Sequence, residues 1–348
     1  MKNGKWITLA FESSCDETAV ALVAQGREVL SNVISSQISI HQAYGGVVPE
    51  IASRHHLENI NQVLEQAMEE AKVELPQVDL VAVTCGPGLV GALLIGVATA
   101  KALAFALDKP LVGVDHMMGH VAANYIQYPD LEPPFTGLIV SGGHTAIVQV
   151  EDYNRWVLLG ETRDDAVGEA YDKVARILGL GYPGGPKVEE VALAGDPKKI
   201  PFKRVYLDKD SYDFSFSGIK TGVLNYVHTE TQRGHKVDVA SVAAGFQEAV
   251  MEVLVEKSVK AALEMGTGKL VLAGGVSANQ RLRQWLEQRC KKEGIQLYCP
   301  HPLLCTDNAA MIGCAAYYKF MEGKQDGLDL DAIPGLPMGY DSLQCKKP

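Results

Sequence analysis

Positive charge is the first thing in short supply: Lys and Arg total 32 against 42 Asp and Glu, a net charge of −10. That balance excludes a protein that coats DNA or RNA non-specifically, because such binding displaces condensed counterions with cationic side chains. It leaves room for a local basic groove. Paired cysteine is missing as well. Cys15, Cys85, Cys290, Cys299, Cys305, Cys314 and Cys345 are odd in number, scattered and without a CxxC pair. They read as reduced thiols of a cytoplasmic protein, not as a secreted disulfide frame. No signal peptide is recognisable, because the apolar stretch from Trp6 to Phe11 is short and meets Glu12. The longest apolar run, Leu89 to Leu107, nears membrane-spanning length but contains Lys101, Gly91 and Gly96, which predicts a buried helix and no membrane. What is there is a globular composition, 47% hydrophobic and 21% charged over 348 residues. That is about twice the span of one compact domain and predicts two packed lobes.

The chain repeats its own plan. ITLAFESS (Ile7 to Ser14) is an apolar strand running into a polar tip, and TAVALVA returns after Cys15-Asp16-Glu17; GLIVSGGHTAIVQV (Gly137 to Val150) has the same strand, tip and strand. Both predict β-hairpins. In the first half a helical stretch from Leu57 to Lys72 leads to the strand Leu80 to Thr84, a glycine turn, a long helix and the strand Leu111 to Val114. In the second half Ala243 to Met265 leads to Leu270 to Ala273, the turn Gly274-Gly275, a helix through Arg289 and the strand Ile295 to Tyr298. The pattern predicts a duplicated α/β protein with lobes at 1–118 and 119–348, an insertion at about 152–235 and a poorly packed tail after Gly323. A cleft is expected where the two tips face each other.

Glycine at the tips and at Gly274-Gly275 lets backbone N–H groups approach a phosphate. Duplicated halves with such hairpins are the plan of actin-like and hexokinase-like ATPases, so a nucleotide held between the lobes is expected. Gly86-Pro87-Gly88-Leu89-Val90-Gly91 also spells the GxGxxG of a dinucleotide fold, and Asp115 ends the next strand. That alternative leaves the hairpins unexplained, and Pro87 lacks a donor that a pyrophosphate turn would use. In His116-Met117-Met118-Gly119-His120 a spacing of four puts both imidazoles on one helical face, as a shared divalent metal would require. Two ordinary helix histidines would read the same way. A zinc protease of the HExxH type is disfavoured by Met117 in the glutamate position. Asp307 offers a third ligand, and it reads equally well as a helix N-cap. His301, between Pro300 and Pro302, reads as part of a rigid loop.

At this point the residues closely resemble a family, the TsaD proteins of tRNA threonylcarbamoyladenosine synthesis. The matching segments span nearly the whole chain: ESSCDETAVAL from Glu12, GGVVPEIASRHH from Gly45, GPGLVGALLIG from Gly86, DHMMGH from Asp115, VSGGHT from Val140, GEAYDKVAR from Gly168, YPGGP from Tyr182, FSFSGIKT from Phe214, AGGVSAN from Ala273 and TDNAAMIG from Thr306.

The resemblance implies a duplicated actin-like, hexokinase-like ATPase fold with a nucleotide and metal cleft between its lobes. It implies transfer of a threonylcarbamoyl group from threonylcarbamoyl-AMP to the exocyclic amine of the adenosine at position 37, beside the anticodon, in tRNAs reading codons that begin with adenine. It further implies that His116, His120 and Asp307 ligate one divalent metal, iron (Fe2+) or zinc. The tip Ile139, Val140, Ser141, Gly142 and Gly143 would hold the donor, or ATP/ADP in the same cleft, and Asp172, Gly185, Glu189 and Asn279 would contact its ribose and adenine. Taken alone, Asp172 reads as a helix-surface acid, Gly185 as a turn and Asn279 as a helix cap. No general base is assigned, and Cys15 reads as a turn residue. The expected partners are tRNA and TsaB-like and TsaE-like proteins, with no DNA. A basic stretch from Lys198 to Arg204, Lys220, and the aromatics Phe202, Tyr206, Phe214 and Phe216 are candidates for tRNA contact or for core. The alternatives are a small-molecule kinase on the same fold and a metal-dependent glycoprotease.

Overall fold

A computed structural model of the chain describes residues 4–208 and 211–338; Cys345 lies outside them. Along the chain come the strands β1 (Ile7–Glu12), β2 (Glu17–Ala24) and β3 (Glu28–Ser36), the helices α1 (Ile38–His41) and α2 (Pro49–Ala71), then β4 (Leu80–Gly86), α3 (Val90–Leu107), β5 (Leu111–Asp115) and α4 (His116–Gln127). The plan restarts with β6 (Phe135–Val140), β7 (Thr145–Asp152) and β8 (Arg155–Glu161), the helices α5 (Val167–Ile177), α6 (Gly184–Ala192), α7 (Ser217–Gln232) and α8 (Val239–Met265), then β9 (Lys269–Ala273), α9 (Gln280–Glu293) and β10 (Gln296–Tyr298). Two last helices follow, α10 (Pro302–Cys305) and α11 (Ala309–Met321).

The duplication is visible in the sheets. One has the order β3-β2-β1-β4-β5 and the other β8-β7-β6-β9-β10. In each, an antiparallel hairpin is joined to a parallel crossover, β1 beside β4 and β6 beside β9. Strands β1, β4 and β5 are buried along their whole length, because α11 packs against β1 and β2 while α2 packs against β2 and α3 against β4. Strands covered on both faces are uniformly apolar instead of alternating, which is why ITLAFE and LVAVTCG are legible. The third strands β3 and β8 carry mixed, half-exposed patterns, and their residues give no such signal.

The packing units do not coincide with the repeat halves. One compact unit is Met1–Pro133, Glu151–Trp156 and Pro300–Pro348, the other Pro134–Val150 and Val157–Cys299. The expected boundary after residue 118 falls inside α4. The segment carrying α10 and α11 belongs with the first unit because α11 lies against α4, β1 and β2. Nor are the described residues after Gly323, up to residue 338, loose. Leu330 and Leu336 are buried, and the Ile333 N–H donates to the Cys85 carbonyl at 2.7 Å. The expected insertion holds β8, α5, α6 and α7, and β8 itself is part of the repeated sheet.

Each unit has its own core, around Leu9, Phe11, Leu22 and Val97 in the first and around Tyr171, Phe214, Phe216 and Phe246 in the second. The apolar helix α3 meets the length and composition of a membrane span, but Val97, Ala100 and Ala104 face that first core. No disulfide joins cysteines among the described residues.

Candidate functional site

The first unit brings His116, His120 and Asp307 together. β5 ends at Asp115, whose carboxylate accepts the N–H groups of Met117 at 2.7 Å and Met118 at 3.3 Å. This N-cap, a feature worth about 1 kcal/mol, starts α4 at His116 and places His120 one turn further along. Their rings meet edge to face with centroids 4.6 Å apart. Asn308, not Asp307, caps α11 by accepting the Met311 N–H at 3.1 Å. Asp307 is left to face the imidazoles: its Oδ1 lies 3.3 Å from His116 Nε2 and 3.2 Å from His120 Nε2. Gly119 lies close against α11: a Cβ there would stand 2.6 Å from Ile312 Cδ1, so that side chain would have to shift.

One ligand atom from each of the three side chains falls within 4.8 Å of the others, a grouping that could hold a metal ion. The donors suit one. His120 is 1% exposed, and neither of its ring nitrogens makes a hydrogen bond among the described residues, an arrangement that costs free energy unless something else satisfies it. Burial opposes ionisation of Asp307, but the neighbouring imidazoles outweigh it and hold the carboxyl well below the usual range. Burial likewise disfavours charge on His116, and there the carboxylates of Glu12 and Asp307 prevail and push its pKa well up.

The first hairpin tip lies over this cluster. Glu12, which sequence patterning leaves unassigned, faces His116 Nδ1 at 2.9 Å. His56 clasps the tip through Thr18 Oγ1 at 2.8 Å and the Cys15 carbonyl at 2.9 Å. Burial first, then Asp307 and Asp16, push the Glu17 carboxyl up to about 10. The GxGxxG stretch is used in packing: a Cβ on Gly86 would meet the Ile333 carbonyl at 2.1 Å, and one on Gly91 would meet Ser53 Oγ at 2.3 Å. His301 caps α10 by accepting the Leu303 N–H.

The other expected residues belong to the second unit. Ile139 and Val140 are buried strand residues, while Gly142 and Gly143 are exposed and have open space where a Cβ would stand. The turn is held by the Ser141 N–H donating to the His144 carbonyl at 2.8 Å and the His144 N–H donating to Ser141 Oγ at 3.0 Å. Asp172 on α5 accepts the Gly184 N–H at 2.7 Å, which sets the start of α6 and the half-buried Gly185. Asn279 caps α9 through Leu282 and donates to Gln247 Oε1 at 3.1 Å. Glu189 also serves the α9 terminus, accepting the Gln280 N–H at 2.6 Å.

Part of the basic stretch, and Lys220 beyond it, is paired with acids. Lys199 pairs with Asp238 at 2.6 Å, Arg204 with Glu252 at 2.7 Å and Lys220 with Asp165 at 2.6 Å. Phe202, Phe214 and Phe216 are core, and Tyr206 is 44% exposed with its hydroxyl on Glu256.

Comparison with known proteins gives the family and the fold. A sequence profile described as TsaD, tRNA N6-adenosine threonylcarbamoyltransferase, matches residues 28–314. A protein of that name from Clostridium botulinum (strain Hall) is 54% identical over 331 residues, covering 95% of this chain and 97% of its own. One from Clostridium perfringens (strain 13) is 54% identical over 335 residues, covering 96% and 99%. Among solved structures, full-length HypF in its phosphate- and nucleotide-bound form superposes with a TM-score of 0.62 at 16% identity over 92% of this chain, which spans only 47% of HypF. Component A of the Acidaminococcus fermentans (R)-2-hydroxyglutaryl-CoA dehydratase superposes with a TM-score of 0.52 at 14% identity, over 90% of this chain and 98% of its own. These two likenesses speak to the fold alone, the actin-like ATPase fold.

Proposed function

The chain belongs to the TsaD family of tRNA N6-adenosine threonylcarbamoyltransferases, and we propose on that premise that its donor is threonylcarbamoyl adenylate and its acceptor the adenosine beside the anticodon. In that reaction N6 attacks the carbamoyl carbon, the C–N bond forms as the C–O bond to the adenylate phosphate breaks, AMP leaves and the amine loses a proton. The donor is an activated mixed anhydride, so no covalent enzyme nucleophile is needed. The chain's tasks are positioning and charge stabilisation. Membership in this family disfavours the kinase and glycoprotease alternatives.

His116, His120 and Asp307 would hold one divalent ion, Fe2+ or Zn2+, which when bound supplies Lewis-acid stabilisation of the developing oxygen charge. Ile139, Val140, Ser141, Gly142 and Gly143 would receive the adenylate end of the donor, or ATP/ADP. The open backbone at Gly142 and Gly143 supports that role, since N–H groups without side chains beside them can approach phosphate oxygens. Asp172, Gly185, Asn279 and Glu189 would contact ribose and adenine. The net charge and the paired basic residues support a reading in which TsaB-like and TsaE-like partners help hold the tRNA in the cytoplasm. The outer face of α3, with Leu94 45% and Phe105 74% exposed, suits an apolar partner surface.

The observation that carries this reading is the convergence of two histidines and one carboxylate within 4.8 Å. The test is mass spectrometry of nucleosides from bulk tRNA, in cells depleted of their own enzyme and supplied with this chain or its His116→Ala variant. Restoration of threonylcarbamoyladenosine by the chain and not by the variant is expected. Failure of both, folded and with partners present, would sink the assignment.

A further inference from the structure

Glu12 ends β1 as a carboxylate in a strand that is otherwise apolar, and it is 1% exposed. The equivalent position of the second hairpin, set by the pairs Glu12↔Ala19 and Ile139↔Ala146, is a buried isoleucine. The fold therefore accommodates an apolar side chain at this corner, and burying a carboxylate there carries a cost that hydrogen bonds must offset. Those bonds are present. Oε1 accepts the Ser14 N–H at 2.6 Å, Oε2 accepts the Thr84 hydroxyl, and Oε2 also meets His116 Nδ1 at 2.9 Å.

A carboxylate has no hydrogen to offer, so the hydrogen in the last contact sits on Nδ1; with Nδ1–H held there, a cation that replaces the proton between Nε2 and Asp307 meets the Nε2 lone pair. Nε2 is the atom that lies 3.3 Å from Asp307 Oδ1. Ser14 Oγ, 3.3 Å from Nδ1, is a longer and uncharged alternative. We propose that Glu12 is a positioning residue that fixes the tautomer and ring orientation of His116, so that Nε2 is presented to a divalent cation shared with His120 and Asp307. A carboxylate behind a ligating histidine raises the ligand's basicity and lowers the disorder lost on binding, and removing such an outer partner costs about 10–100-fold in metal affinity. This inference rests on the metal reading of the preceding subsection, and its test separates the two.

Zn2+ affinity is measured on the full chain by competition with a chromogenic chelator, for the native protein, Asp307→Ala and Glu12→Gln, alongside the visible absorption of the Co2+ forms. Expected are tight binding by the native chain, loss in Asp307→Ala, and an about 10–100-fold weakening in Glu12→Gln with an altered Co2+ spectrum. No binding by the native chain, or full binding by Asp307→Ala, removes the metal reading and the role of Glu12 with it. Native binding through the triad, with Glu12→Gln within twofold and an unchanged Co2+ spectrum, overturns only the role of Glu12. Should Glu12→Gln not fold, nitrogen-15 NMR of the histidine-labelled, zinc-loaded native chain decides: Nδ1 protonated and Nε2 shifted by metal supports the inference, and metal on Nδ1 refutes it.

Discussion

The two hairpin tips have matching backbones and share little of what is mounted on them. The pairs Glu12↔Ala19 and Ile139↔Ala146 close turns of equal length, so Ser14-Cys15-Asp16-Glu17-Thr18 corresponds to Ser141-Gly142-Gly143-His144-Thr145. A glycine turn presses on each tip: a Cβ on Gly88 would stand 2.5 Å from the Ser14 carbonyl oxygen, and one on Gly274 would stand 2.4 Å from that of Val140. Beyond those contacts the tips diverge. The first buries Glu12, Ser14 and Asp16 beside two histidines, while the second exposes two glycines. Duplication kept the strand-and-glycine frame that packing demands, and one tip became a holder of side-chain chemistry while the other became a bare backbone surface.

Removing the chemistry of the first tip's neighbourhood should break the comparison most severely. If His116, His120 and Asp307 hold a metal, Asp307→Ala deletes a ligand and should reduce bound metal and transfer activity by more than the about 10–100-fold typical of losing an outer partner, while leaving the second unit intact. Metal content and nucleoside mass spectrometry check this. Breaking the shared frame comes next. Gly274→Ala adds a Cβ at φ +90° and 2.4 Å from a carbonyl oxygen, which combines backbone strain with a clash and should cost about 1–3 kcal/mol or more. Gly88→Ala meets the clash with a nearly extended backbone and should cost less. Urea unfolding of both variants tests the order, and the reverse order would argue that the two frames are not equivalent.

A smaller change sharpens the contrast. Gly143→Ala has open space around its Cβ and no positive φ, so stability should move by less than about 0.5 kcal/mol. If the bare backbone receives the adenylate donor, the added methyl group should nevertheless raise KM for it by roughly tenfold, the equivalent of 1.4 kcal/mol, with an unchanged melting temperature. Unaltered KM would remove the second tip from donor binding.

The hairpins, the parallel strands and the long helices were legible because burial on both faces leaves unbroken apolar runs, as in ITLAFE and LVAVTCG. The triad was legible in part. The spacing of His116 and His120 encodes a shared helical face locally, whereas Asp307 reads equally well as a cap until Asn308 is seen to fill that place. Glu12 and Gly119 were not legible, since the role of each depends on an element distant in sequence: α4 for Glu12, α11 for Gly119. The docking of Leu330 and Leu336 is likewise a matter of long-range packing. For the aromatics among basic residues the sequence left core and tRNA contact both open, and long-range packing decides for core at Phe214 and Phe216, which stack on each other, while Lys199, Arg204 and Lys220 meet the sequence-distant acids Asp238, Glu252 and Asp165.

The smallest effect is expected at the residue that most invites a catalytic role. Cys15 stands in the first tip where the second has Gly142, near the His116, His120 and Asp307 group and only partly exposed. A nucleophilic cysteine must be a thiolate, which requires cationic neighbours or a helix N-terminus to lower its pKa. Here burial acts first and the carboxylates of Asp16 and Asp307 add to it, so the thiol is pushed well above its ordinary value. It therefore stays protonated through neutral pH, and the rate should show no thiol titration between about pH 7 and 9. Cys15→Ala, which resembles the small side of the second tip, should retain more than about half of the native turnover, the behaviour of a position outside the named destabilising mechanisms. A covalent intermediate trapped on Cys15, or a loss of turnover comparable to that of Asp307→Ala, would mean that the first tip supplies a nucleophile, and the division between the two tips would have to be redrawn.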